Sequence, residues 1–199
     1  PAGPFVMGCD PDDPEDRCPD IIGISPFPEL IVEVSGYFID RYEVTNARYR
    51  RCQRFGACSP EHGEMSHLND WYFSNPAFQE YPVVGSPQSE ADALCAYEGK
   101  RLPSEAEWEK AARGGCELVA PSSCGQEDER WLPWDDPPLG DEYRTCGHSG
   151  SPECYGDTKP VGSHPLGRRP YGVDDMLGNV EEWTRGCAID YADCAPTCA

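Results

Sequence analysis

Twelve cysteines spread along 199 residues constrain this chain more than any other feature. A reducing compartment rarely tolerates so many, whereas secreted, loop-rich domains use them as disulfides. Zinc is the competing explanation, but no C-x-x-C occurs. The tightest spacing, Cys194-x3-Cys198, has no histidine nearby to complete a four-ligand site. The spacing therefore favours disulfides and an extracellular or periplasmic location. Neighbours in sequence suggest the short staples Cys9/Cys18, Cys52/Cys58, Cys116/Cys124 and Cys146/Cys154, although spacing does not determine connectivity. Cys95 stands among apolar residues of a predicted helix, where a buried inert thiol or half of a disulfide is expected rather than a nucleophile.

Glycine and proline together supply 41 residues, so irregular structure must be extensive. Sixteen basic residues face thirty-six acidic ones, for a net charge of −20. Such a chain repels phosphate backbones, which argues against nucleic acid and anionic membrane surfaces as partners. No apolar run reaches the length of a membrane span. The length fits one domain over residues 1–199. Pro1 is not an initiating Met, and the Cys194–Ala199 end lacks a closing element, so a piece of a longer protein is expected.

Local patterns place the elements. Leu30–Val34 and Gly36–Tyr42 are rich in β-branched and aromatic residues and read as strands. Thr45 caps a helix from Asn46 to about Arg54, ended by Gly56. Ser86-Pro87 reads as an N-cap followed by a proline at the first helical position, with Gly99 ending that helix. Ser104 and Glu107 form a capping box, Trp108, Ala111 and Ala112 share one face, and Gly114-Gly115 stops the turn. Residues 115–169 show no period and read as one long loop in which Trp131 and Trp134 are expected to be buried.

Two stretches stand out. Gly99–Glu109 is a helix start with acids in its first turn, and it holds no nucleophile beside a base. Tyr171–Trp183 combines Gly172 and Gly178 with Asp175 and Glu182. Two carboxylates converging with the carbonyls of Gly178 and Val180 would suit Ca2+, while a solvated acidic turn is the plainer alternative. The four histidines, His62, His67, His148 and His164, follow no metalloprotease spacing and read as loop or surface residues.

Taken in order, these pieces resemble the formylglycine-generating enzyme family, also called sulfatase-modifying factor domains. The matching segments are Phe5–Cys9, Tyr37–Asn46, Tyr81–Val84, Ala93–Gly114, Leu132–Trp134, Pro160–Ser163 and Gly178–Trp183. The resemblance covers nearly the whole chain. It implies an α+β fold related to C-type lectins, with much irregular, disulfide-stapled loop and bound Ca2+. It assigns the calcium turn to Asp175, Gly178, Val180 and Glu182. A second family calcium loop is not carried over, because Asp135-Asp136 and extra cysteines follow Trp134 here. Active members oxidise a protein cysteine to formylglycine with O2 and Cu(I) held by two thiolates, a metal that prefers sulfur. The family's Arg-Gly-Gly-Ser-Trp motif and the cysteine pair after it have no counterpart here, so no catalytic residue transfers and Cu(I) is expected only with a further C-terminal segment. Glu181 stands where relatives usually carry Trp. The resemblance thus implies either a domain of an oxidase acting on a protein or peptide substrate, or a non-catalytic, secreted, calcium- and disulfide-stabilised binding or structural module.

Overall fold

The computed structural model describes residues 1–8, 29–118 and 157–186. Its elements are few and short. Strand β1 (Gly3–Met7) pairs antiparallel with β2 (Leu30–Val34), Gly3 opposite Val34 and Met7 opposite Leu30. Helices α1 (Asn46–Arg54), α2 (Gln88–Tyr97) and α3 (Glu105–Arg113) follow, with single 3-10 turns at Pro76–Phe78, Cys116–Leu118 and Pro165–Gly167. No helix among the described residues is long and apolar enough to cross a membrane. This is the mixed helix-and-sheet architecture expected, with irregular backbone between the elements.

Capping chemistry sets the helix ends. The Thr45 side chain accepts from the Arg48 amide, and Ser104 accepts from Glu107 while the Glu107 carboxylate accepts from the Ser104 amide. Arg101 adds two hydrogen bonds to that same carboxylate, tying the approach to α3 to its first turn. Helix α2 departs from the expected start by one residue. Its N-cap is Pro87 and no side chain caps it. The Ser86 hydroxyl meets the His62 ring instead, at 3.0 Å.

The predicted strand over Gly36–Tyr42 is not formed. The in-and-out alternation is present, with Tyr37 and Ile39 half-buried and Phe38 wholly exposed, but no neighbouring strand among the described residues supplies a ladder. Side chains and isolated bonds fix the segment: the Tyr37 hydroxyl donates to the Glu107 carbonyl, and the Arg41 carbonyl accepts from the Asp174 amide. The partner of β2 is the N-terminal β1, read from sequence only as a short apolar piece.

Three apolar clusters hold the elements together. Phe5, Met7 and Val34 pack with Ala106, seating α3 on the hairpin. The opposite side of α3 places Ala111 and Ala112 against Val173 and Met176, which carries the acidic turn. Tyr49, Cys52, Cys58, Phe73 and Leu94 join α1 to α2. The Cys52–Cys58 disulfide is formed, and Cys116 is also disulfide-bonded. The other suggested staples, and Trp131 and Trp134, lie outside the described residues.

An ion network adds a polar clamp between α1 and α2. Arg48 reaches both Glu98 and Asp40, and Lys100 reaches the same two carboxylates. The Arg48 hydrogen bonds hold the Glu98 pKa down at about 2, well below its ordinary 4.5. A carboxylate depressed by folding stabilises the native state above its unfolded pKa and loses that contribution as pH falls through its folded value. Urea denaturation should therefore show stability declining from pH 4.5 towards pH 2, and Glu98→Gln should flatten that decline.

Candidate functional site

The acidic turn sits where several elements meet. Asp174, almost fully buried, accepts from Arg41 and Arg168 and so fastens the entry to the turn. At the exit, Trp183 donates its indole N–H to the Ser86 carbonyl, Gln88 donates to the Thr184 carbonyl, and the Arg185 amide donates to the Pro103 carbonyl. The N-terminal ends of α2 and α3 thereby hold the turn in place.

Its backbone is strained. Among the described residues, Asp175 (φ 60°) and Asn179 (φ 62°) are the non-glycine residues in the left-handed region, with Gly178 (φ 91°) between them. Each such conformation costs on the order of 1–3 kcal/mol and is kept where the surroundings impose it, commonly at ligand clamps. Gly162 braces the turn from across the site. Its amide donates to Asp175 at 2.5 Å, and a Cβ there would stand 2.6 Å from the Tyr42 ring, so no larger residue fits.

Charge is concentrated without compensation. Asp175 is buried, and desolvation raises its pKa, opposed by the Gly162 amide and raised further by Asp174. Glu182 lies at the surface and accepts from the Trp108 indole at 2.9 Å. Desolvation raises its pKa too, and the Asp175 charge adds to the rise. Glu43 is more extreme. Burial, then the charges of Glu182 and Asp175, push it up to about 9, against the Asn179 and Val180 N–H groups. One of its oxygens, Oε2, accepts from Asn179 at 2.6 Å; the other, Oε1, is buried with no hydrogen-bond partner.

These features suit a hard cation. Two raised carboxylates and a turn held open by left-handed residues are what a Ca2+ ion would relieve. Among the described residues, no three His, Cys, Asp or Glu side chains are arranged to hold a metal. The set expected from sequence contains only two, Asp175 and Glu182, with the Gly178 and Val180 carbonyls completing it. The structure brings Asp175 and Glu182 within electrostatic reach of each other. Glu43 and Asn179 were missed as site residues, since nothing local marks a glutamate 136 residues away from its partner.

Among the described residues, no cysteine pair suits copper. Cys95 is the free cysteine among the described residues, half-buried, with its pKa raised by burial. That is the reverse of a thiolate poised to ligate metal. Cys52 and Cys58 are spent on each other. Of the histidines, His62 is in a loop as expected but is packed, stacked on Phe73 and edge-on to Tyr49.

Beside the turn lies a groove of about 1640 Å3, larger than an ordinary small-molecule pocket, with Phe38, Met65 and Trp183 exposed along it.

The model of the sulfatase-modifying factor enzyme 1-like domain matches residues 1–195. The chain is 28% identical to the formylglycine-generating enzyme of Mus musculus, over 92% of this chain and 56% of that protein. It is 32% identical to the inactive C-alpha-formylglycine-generating enzyme 2 of Mus musculus, over 92% of this chain and 66% of that protein. It is 31% identical to the hercynine oxygenase of Mycolicibacterium smegmatis, over 92% of this chain and 44% of that protein. The chain thus spans about half the length of these relatives.

Proposed function

Because this chain belongs to the sulfatase-modifying factor enzyme 1-like family, we propose that it supplies the calcium-holding, polypeptide-binding scaffold of a formylglycine-generating type of domain. The strained acidic turn carries this reading. Asp175 and Glu182, with the carbonyls of Gly178 and Val180, would hold Ca2+. When bound, Ca2+ would supply charge compensation rather than redox chemistry; these residues would hold it and so fix the turn against α2 and α3.

The residues around the ion do the positioning. Asp174, clamped by Arg41 and Arg168, holds the entry to the turn. Trp108 orients Glu182 through its indole N–H. Trp183, fixed by Ser86 and half exposed, offers an aromatic face to the groove. The size of that groove favours an extended peptide over a metabolite. The Cys52–Cys58 disulfide supports an oxidising location, extracellular or periplasmic.

The described residues hold no pair of thiolates for Cu(I), so no oxidative step is assigned to them. The likeness to both an active and an inactive relative keeps the oxidase as the second reading. One experiment separates the two. A cysteine-containing peptide titrated into the calcium-loaded protein should change tryptophan emission, and Trp183→Ala should remove that change. Absence of any peptide-dependent change would contradict the scaffold reading. Conversion of the peptide cysteine to an aldehyde with Cu(I) and O2 would bring the oxidase forward.

A further inference from the structure

The calcium reading leaves one buried pair unexplained. Asn179 is 6% exposed and holds a left-handed backbone conformation in the middle of the turn. Its side chain makes contacts to two other segments. The amide nitrogen donates to Glu43 Oε2 at 2.6 Å and to the Lys159 carbonyl at 3.3 Å, and the amide oxygen accepts from the Lys159 backbone N–H at 2.9 Å. Glu43, itself 9% exposed, comes from the segment leading into α1. Lys159 immediately precedes the Pro160–Ser163 loop, whose Gly162 amide binds Asp175. A single side chain therefore joins the turn to the two segments flanking it.

We infer that Glu43 is a positioning residue for the cation: acting through Asn179, it holds the 175–182 turn in its ion-binding conformation without ligating the ion. The inference rests on the calcium reading above. The geometry supports action through Asn179 because the close side-chain bond of Glu43, from Oε2 at 2.6 Å, goes to Asn179, with the Val180 backbone N–H of the same turn beside it. Asparagine tolerates the left-handed conformation better than most residues, and the tie from Glu43 and Lys159 fixes it there. Residues that orient metal ligands from behind commonly alter affinity strongly when removed.

Trp108 touches Glu182, which provides a direct probe: Tb3+ taken up in place of Ca2+ would be sensitised by this indole. Glu43→Ala should weaken Tb3+ binding, and its displacement by Ca2+, by about tenfold or more. Asn179→Gly tolerates the left-handed backbone yet lacks the tie, and it should weaken binding similarly, which keeps the test open should the alanine variant fold poorly. The double variant should be no worse than Asn179→Gly alone, since that variant already removes the Glu43 contact together with the two to Lys159. Glu43→Gln retains an acceptor oxygen for Asn179 and should keep most of the affinity. Unchanged affinity in Glu43→Ala and Asn179→Gly, additive losses, or a Gln variant as weak as the Ala variant would each overturn the inference while leaving the calcium reading intact. A wild-type protein that takes up neither Tb3+ nor Ca2+ would overturn both.

Discussion

Tyr49→Ala is expected to lower stability by about 3–5 kcal/mol, equivalent to roughly 6–20 °C in Tm for a chain of this size. Tyr49 is 1% exposed at the centre of the α1–α2 cluster. Its ring meets Phe73 edge-on at 5.8 Å and His62 at 4.9 Å, and it packs with Cys52 and Leu94. Its hydroxyl donates to Glu90 at 2.6 Å. Alanine removes the ring and leaves a cavity beside a disulfide that cannot collapse into it. Tyr49→Phe keeps the ring and loses one hydrogen bond, while Glu90 retains the Ser59 amide as a donor. It should cost about 0.5–1.5 kcal/mol. Thermal denaturation of the three proteins checks the ordering, and an alanine variant as stable as the phenylalanine one would contradict this account of the cluster.

Withdrawing calcium is the second large effect. A ligand held at a hundred times its Kd adds about 2.7 kcal/mol to stability, so a chelator should lower Tm by roughly 5–11 °C. The sensitivity belongs to the turn. Asp175→Asn preserves the left-handed backbone, which asparagine tolerates, and keeps an oxygen for the Gly162 amide. It removes the charge that raises Glu182 and Glu43. This variant should no longer respond to chelator, and in chelator it should be at least as stable as the wild type. A variant that is destabilised equally with and without calcium would point to a structural turn only.

The parts of the fold visible in sequence are those governed by neighbours in the chain. Thr45 and the Ser104–Glu107 box announce α1 and α3 because a cap is satisfied within three residues. Cys52–Cys58 closes a loop of similar size. Pairing is not local. Gly36–Tyr42 has strand composition and alternation but finds no ladder among the described residues, while β2 pairs with the N-terminal β1. Ser86 reads as a cap until a histidine 24 residues away meets its hydroxyl.

The site divides in the same way. Asp175, Gly178, Val180 and Glu182 lie within one short stretch, so a pattern of carboxylates and glycines exposes them, and family resemblance adds their role. Glu43 sits in the Tyr37–Asn46 segment with no sign of its partner. Only the packing of that segment against the turn brings its carboxylate to Asn179. The raised pKa values of Glu43, Asp175 and Glu182 are likewise products of assembly, since each depends first on desolvation in the folded chain.

The central claim is that the 175–182 turn binds Ca2+. Its most direct test is the calcium content of the purified chain after equilibrium dialysis against micromolar calcium, for the wild type and for the paired Asp175→Asn, Glu182→Gln variant. The account predicts that the variant binds one calcium ion fewer per chain while remaining folded. Equal calcium content in the two proteins would contradict it.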